Sequence, residues 1–153
     1  MTPLRTIWFG VALVALPLPA AAQEMCAALQ RIAAAAREPL PFASLEQSES
    51  SLVPGYDFCR VETGAGAGTS RVMCHSQMAP KSLIAETVGA QLRDCLGPTS
   101  VPRPRPWPTG ALEYLTADLS ITVSSHCDER CHVGRIASLI IRRREADEAS
   151  PPR

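Results

Sequence analysis

Six cysteines follow an apolar N-terminal segment in this chain of 153 residues, and they limit its folds more than any other feature. They stand at positions 26, 59, 74, 95, 127 and 131. An even number of cysteines in a small exported chain is typical of a disulfide framework, because oxidising compartments keep thiols paired. We therefore predict a small domain that disulfides stabilise outside the cytoplasm.

The first 22 residues have the three parts of an export signal. Arg5 supplies a positive charge, Ile7 to Leu16 form an apolar run, and Ala20 to Ala22 are small enough for a signal peptidase. The apolar run is interrupted by Pro17, so it is well short of the roughly 20 residues that a membrane-spanning helix needs. We predict cleavage before Gln23 and a periplasmic or secreted protein without a membrane span.

Charge is balanced in the expected mature chain. Removing Arg5 from the 15 basic residues leaves 14, against 15 acidic residues. Nucleic-acid-binding domains normally carry a basic surplus, so we predict no nucleic-acid partner. The expected partner is an envelope or extracellular protein, and no cofactor is predicted.

Hydrophobic periodicity predicts two helices and five strands, because apolar residues recur at helical spacing in some segments and alternate in others. In chain order these are helix 24–37, strands 57–63 and 70–76, helix 82–96, and strands 111–116, 119–124 and 133–143. The order α-β-β-α-β-β-β predicts one α+β domain over residues 23–143, with an antiparallel sheet and both helices on one face. The charged tail 144–153 is predicted to be disordered.

One register of the first two strands satisfies three requirements at once. It pairs a thiol with a thiol, an apolar residue with an apolar residue, and a base with an acid. The three pairs are Cys59 with Cys74, Val61 with Val72, and Arg71 with Glu62. The glycine-rich segment 64–68 then forms the tip of a hairpin and not a nucleotide-binding loop, since it joins two strands.

The six cysteines allow 15 pairings, and the predicted elements favour one of them. Cys59 and Cys74 become neighbours across the first hairpin. Cys127 and Cys131 flank the tip of the last hairpin, and this leaves Cys26 and Cys95, one on each helix. The predicted disulfides are therefore Cys59–Cys74, Cys127–Cys131 and Cys26–Cys95.

The segment His126 to His132, with the sequence HCDERCH, suggests two alternatives to a disulfide. It resembles a covalent haem attachment site, but three residues separate its cysteines where that motif has two. His126, Cys127, Cys131 and His132 would also be an acceptable zinc ligand set by residue type. Neighbouring residues on a strand point to opposite faces, however, so the four side chains are not expected to converge. We predict no metal site.

Copper binding and thiol exchange are weaker alternatives. Met73, Cys74, His75 and Met78 include soft ligands that suit copper, but Cys74 is better explained by its partner across the hairpin. Thiol exchange usually relies on a C-x-x-C motif or on a cysteine at a helix N-terminus, and the sequence has neither.

A stretch of alternating prolines, Val101 to Gly110, predicts a stiff extended segment. Arg103, Arg105 and Trp107 would present two cations and an aromatic ring with little conformational entropy left to lose on binding. We select these three residues as candidate binding residues for an anionic ligand or an acidic partner. The alternative is a rigid connection whose Trp107 packs against the edge of the sheet.

No motif in the sequence predicts catalysis. The chain lacks the G-x-S-x-G elbow of a serine hydrolase. His75, His126 and His132 could each act as a general base, but no nucleophile is positioned beside them by the predicted strands. The sequence therefore predicts an exported, disulfide-stapled, non-catalytic envelope protein that binds or inhibits a partner. A structural periplasmic component is the main alternative, and a haem or metal protein using the HCDERCH segment is a more remote one.

Overall fold

The computed structural model of the chain describes residues 20–46, 52–64, 69–80, 83–97, 100–106, 110–127 and 135–144. In chain order the elements are α1 (Ala20–Ala36), β1 (Phe58–Glu62), β2 (Arg71–Ser76), α2 (Ala85–Leu96), β3 (Arg103–Pro104), β4 (Leu112–Leu115), β5 (Leu119–Cys127) and β6 (Arg135–Arg143). The predicted α+β class and the order α-β-β-α-β-β-β are confirmed. The short strand β3 is an addition to that order.

The six strands form one antiparallel sheet in the order β1-β2-β6-β5-β4-β3. Strands β3 to β6 run as a meander. Strand β6 also pairs with β2, so the pairing of these two strands, which are distant in sequence, joins the first hairpin to the meander. Helix α2 connects β2 to the far edge of the sheet. The central strands β5 and β6 are nine residues each and contain no proline, which suits strands that must pair on both sides.

Both helices pack on one face of the sheet, which we call the inner face. Every second residue of the strands points to this face, as the period of a strand requires, and most of these residues are buried. The core contains sheet residues Cys59, Val72, Cys74, Tyr114, Ile121, Val123, Leu139 and Ile141 and helix residues Met25, Leu29, Ile32, Val88 and Leu92. The predicted placement of both helices on one face is confirmed.

The first hairpin has the predicted register. Cys59 lies opposite Cys74, and the two are joined by a disulfide with their Cα atoms 4.0 Å apart. The pairs Val61–Val72 and Glu62–Arg71 are also opposite each other, and Glu62 and Arg71 form an ion pair.

A second disulfide, Cys26–Cys95, joins α1 to α2 with a Cα separation of 5.1 Å. It is the pair that was predicted by elimination. Helix α1 begins at Ala20, four residues before the predicted start, because the alanines that suit a peptidase are also strong helix formers. Cleavage before Gln23 would leave the helix to begin at that residue and stays a prediction.

Helix α2 begins at Ala85, three residues later than predicted. Its N-cap residue Ile84 provides no side-chain hydrogen bond. Instead, the backbone N–H of Ala85 donates to Ser125 Oγ of β5 at 3.1 Å. The sheet therefore caps the helix, and no local sequence signal reveals a cap that lies 40 residues away. The helix ends at Leu96, as predicted, and its C-cap residue Gly97 has a positive φ of 86°.

The proline-rich segment contributes β3, whose two residues pair with Glu113 and Leu112 of β4. Pro104 is tolerated there because β3 is an edge strand, where a missing N–H leaves no ladder bond unmade. The predicted extended path is thus part of the sheet. Trp107 lies outside the described residues.

Strand β5 runs to Cys127, three residues beyond its predicted end, and pairs there with Arg135 of β6. The side chain of Cys127 and the whole of Cys131 lie outside the described residues, so the third disulfide stays a prediction. At the other end of β6, Arg144 donates from its guanidinium to the Thr116 carbonyl, one residue past the predicted boundary of the domain. Among the described helices, neither is long and apolar enough to cross a membrane.

Candidate functional site on the open face of the sheet

The sheet face opposite the helices, which we call the open face, carries the candidate site. Its residues alternate along each strand with those of the inner face, so the strand register identifies them. They are Phe58, Arg60 and Glu62 of β1, Arg71, Met73 and His75 of β2, Ile136, Ser138, Ile140 and Arg142 of β6, Ser120, Thr122, Ser124 and His126 of β5, Glu113 and Leu115 of β4, and Arg103 of β3.

The centre of the open face combines two apolar side chains with several hydroxyl groups and is partly accessible. Met73 and Ile140 lie side by side on β2 and β6 and are half-buried, and Thr122 and Ser138 lie next to Ile140. Phe58, at the edge of the sheet, is 50% exposed. Phe, Met and Arg are enriched in protein-binding surfaces, where accessible apolar groups are surrounded by polar ones.

One end of the open face carries an ion-pair cluster. Glu62 of β1 accepts a hydrogen bond from Arg71, with which it forms an ion pair, and it forms a second ion pair with Arg60. The hydrogen bond from Arg71 holds the pKa of the Glu62 carboxyl below its usual value. Glu62 is therefore a carboxylate shared by two arginines, and it neutralises only one of their two charges.

Arg142 lies directly opposite Arg71 on the adjacent strand and is exposed. Like charges that face each other across two strands destabilise a sheet. Within the described part of the chain, Arg142 has no ion-pair partner, since Glu62 lies beyond Arg71 on β1. This end of the open face thus contains an uncompensated cation.

The opposite end of the open face holds two of the three predicted binding residues. Arg103 pairs with Glu113 in the strand register, and Arg105 approaches the Glu113 carboxylate at 3.4 Å. Glu113 also accepts a hydrogen bond of 2.8 Å from Ser120. Arg103 is exposed and has no ion-pair partner within the described residues. The structure thus places Arg103 and Arg105 beside the same surface, while the third predicted residue lies outside the described ranges.

The open face is basic although the chain is not. Its arginines, counted with Arg105, are five, and its acidic residues are two, which gives a formal charge of +3. The whole chain has a formal charge of +0. Positive charge is therefore concentrated on one surface, and this local surplus is invisible to a count over the sequence.

His75 lies on the open face and contacts a serine side chain of the neighbouring strand. Its Nδ1 lies 3.0 Å from Ser138 Oγ on the neighbouring strand. Burial lowers the pKa of His75, and the nearby Arg60 lowers it further, so the imidazole is neutral at pH 7. His75 is thus half-buried and lies within hydrogen-bond distance of a serine hydroxyl, a neighbour that the predicted strands did not reveal.

A neutral histidine beside a serine can accept its proton, yet acyl transfer also needs donors for the oxyanion. Ser138 lies in β6, between β2 and β5, where the ladders on both sides use the backbone N–H groups. The pair His75–Ser138 is therefore better suited to holding two strands together than to nucleophilic catalysis.

The shifted pKa of His75 predicts an acid-sensitive stability. Because folding lowers this pKa, the unfolded chain binds more protons below the unfolded value near 6.5, and stability is lost as pH falls through that value. We expect the urea midpoint to fall between pH 7 and pH 5, and the fall to be smaller in His75→Gln. His126→Gln, which removes an exposed imidazole from the same face, is the control. A fall of equal size in His75→Gln and the wild type would contradict this origin.

The strand register separates the residues that were considered as copper ligands. Met73 and His75 lie on the open face, whereas Cys74 points to the inner face and is bonded to Cys59. In the ranges that the structure describes, no three His, Cys, Asp or Glu side chains are grouped closely enough to hold a metal ion. Of the HCDERCH segment, His126 is an exposed residue of β5.

A groove of about 240 Å³ lies beside the Cys26–Cys95 disulfide. Its walls come from α1, the end of α2 and the turn between β4 and β5, and most of them are apolar. Asp118 stands at its rim, where the Arg37 guanidinium binds the carboxylate and lowers its pKa. Ligand pockets usually measure about 300–1,000 Å³, so this groove suits a single side chain better than a small molecule.

The open face was missed by sequence reasoning, although a signal was present. The strands alternate, and the residues facing away from the core include Met73 and Ile140, which are apolar where a solvent-facing side is usually polar. Their proximity depends on β6 pairing with β2, which no local pattern predicts. Comparisons of the chain with protein-family models, with curated proteins and with solved structures found no match.

Proposed function

We propose that this protein is an exported, non-catalytic binding module that holds an envelope or extracellular protein against the open face of its sheet. The observation that carries the proposal is the set of accessible apolar side chains on this face, Phe58, Met73 and Ile140, which the two helices leave uncovered. Packing against a partner would remove Phe58 and Ile140 from water, and burial of apolar area contributes about 25 cal/mol per Å². An inhibitor that covers the active site of a target enzyme would use the open face in the same way.

The fold supports a binding function over a catalytic one. One disulfide joins two strands of the sheet and the other joins the two helices behind it, so the side chains of the face lose little entropy when they dock. Two disulfides are present, and neither described helix is long and apolar enough to cross a membrane. Both observations are compatible with an extracellular or periplasmic location. The export signal and its cleavage belong to this proposal as predictions.

Site-specific photocrosslinking tests the proposed surface. We expect a photoreactive phenylalanine at Phe58 to form one discrete crosslinked product in cells that make the protein, because the side chain would lie inside the interface. The same group at Ala34, which is exposed on α1, is the control and should form none. Purified wild-type protein and Ala34→Asp should compete with the crosslink, whereas Phe58→Asp should not. Equal products from both positions, or none from Phe58, would contradict the proposal.

A further inference from the structure

We infer that the partner presents glutamate or aspartate side chains to the open face, and that Arg142 and Arg103 receive them. This inference rests on the proposed function, because it names the chemistry of the partner at that same surface. Carboxylates are the protein groups that match the planar guanidinium with two parallel hydrogen bonds. An acidic protein segment is therefore the occupant that this surface fits.

The first reason is the charge left over on the open face. Glu62 already binds Arg60 and Arg71, and Glu113 already contacts Arg105 and Ser120. Both carboxylates of the face are thus engaged. Arg142, near the end of the central strand β6, and Arg103, on the edge strand β3, remain as exposed cations.

The second reason is the repulsion that the free protein tolerates. Arg142 faces Arg71 directly, in a register where like charges cost stability. A carboxylate placed between these two guanidinium groups would turn the repulsion into attraction. The arrangement is unfavourable in the free protein and favourable in the complex, which is a common relation between stability and function.

The third reason is that the surplus is local. The open face has a formal charge of +3, whereas the other described residues carry six basic and seven acidic side chains. An acidic partner would therefore be attracted more strongly to this face than to the rest of the described surface. Such complementarity speeds association and selects orientation more than it adds affinity.

A pair of matched synthetic peptides tests the inference. One alternates glutamate with leucine over twelve residues, and the other carries glutamine in place of every glutamate. We expect the glutamate peptide to shift the NMR signals of β2 and β6 in the disulfide-bonded protein, and its binding to weaken between about 0.02 and 0.5 M salt, because exposed ion pairs are screened. The glutamine peptide should bind more weakly and without this salt dependence.

Single substitutions identify the receiving arginines. Arg142→Gln and Arg103→Gln should each weaken binding of the glutamate peptide by about two- to fivefold, the range of one exposed ion pair. Arg31→Gln, on the exposed side of α1, is the matched control and should leave binding unchanged. Arg142→Gln should also leave the melting temperature unchanged or raise it, since it removes the repulsion with Arg71. A lower melting temperature would assign Arg142 a structural role and overturn the inference.

The remaining outcomes are decisive as well. Equal binding of both peptides at the open face would overturn the inference while leaving the proposed function intact. No shift by the glutamate peptide at millimolar concentration would overturn it too. Tighter binding of a heparin fragment or a DNA duplex than of the glutamate peptide would show a preference for sulfate or phosphate and would equally exclude an acidic protein as the intended partner.

Discussion

Replacing Cys26 and Cys95 together by alanine is expected to lower the free energy of unfolding by about 4 kcal/mol, the value for closing a loop of this length. The two residues are 69 positions apart, and their disulfide is the covalent connection between α1 and α2. Small domains have free energies of unfolding of about 5–15 kcal/mol, so this loss would remove a large part of the total. Urea unfolding of the oxidised proteins, followed by circular dichroism, measures it.

Replacing Cys59 and Cys74 by alanine is the matched comparison. Their separation is 15 residues, and the loop model assigns about 3 kcal/mol to such a closure. These two residues are also buried in the core, so their replacement leaves a cavity that the other pair does not. A loss below about 1 kcal/mol for the Cys26–Cys95 pair would contradict the prediction. It would show that packing of α1 on α2, and not the bond, holds the helices together.

Gly89→Ala is the second substitution for which we expect a large effect, a loss of about 2 kcal/mol. Gly89 lies in α2 where the helix approaches the sheet, and a Cβ at this position would collide with the hydroxyl of Tyr114 on β4. Overpacking costs about 1–3 kcal/mol, and this case belongs at the upper end because Tyr114 is fully buried and cannot swing into solvent. Alanine returns about 1 kcal/mol through its higher helix propensity.

Tyr114→Phe provides the control for this prediction. The Tyr114 hydroxyl is buried without a hydrogen bond of good geometry, so its removal alone should be close to neutral or slightly stabilising. The double variant Gly89→Ala with Tyr114→Phe should then recover more than half of the loss, because the atom that blocks the new methyl group is gone. Thermal or urea unfolding of the four proteins measures the coupling. Simple additivity of the two changes would exclude the steric explanation.

The residues changed in these stability experiments lie away from the open face, so stability and binding can be tested with different substitutions. The disulfides Cys26–Cys95 and Cys59–Cys74, together with the Gly89–Tyr114 contact, belong to the inner face and the helices. Substitutions at Phe58 or Arg142 change the opposite surface. Effects on binding can therefore be distinguished from effects on folding by measuring both quantities for the same variants.

Local patterns were sufficient for much of the fold. The hairpin register was predictable because thiol, apolar and charged pairs all favour one alignment, and a shift by one residue would send Val72 to the wrong face. The Cys26–Cys95 bond was predictable because Cys59–Cys74 and the predicted pair Cys127–Cys131 left one cysteine on each helix. Both are cases in which few arrangements compete.

Contacts between distant segments could not be predicted in the same way. The cap of α2 comes from Ser125, which is 40 residues away, and the start of the helix was therefore misplaced. Strand β3 exists because Arg103 and Pro104 meet β4 at a free edge, although two residues carry no strand signal of their own. The candidate site depends on β6 lying between β2 and β5, which places Ile140 beside Met73.

The α+β class, the order of the elements and the pairing of four cysteines were predictable from the sequence. They follow from periodicity and from side chains that are near one another along the chain or few in number. The order of the strands then decided that a chain with a formal charge of +0 carries a face of +3, in which Arg142 faces Arg71 and Ile140 lies beside Met73. The physical reason is that sheet order is chosen by the burial of the whole inner face, and the composition of the open face follows from that choice.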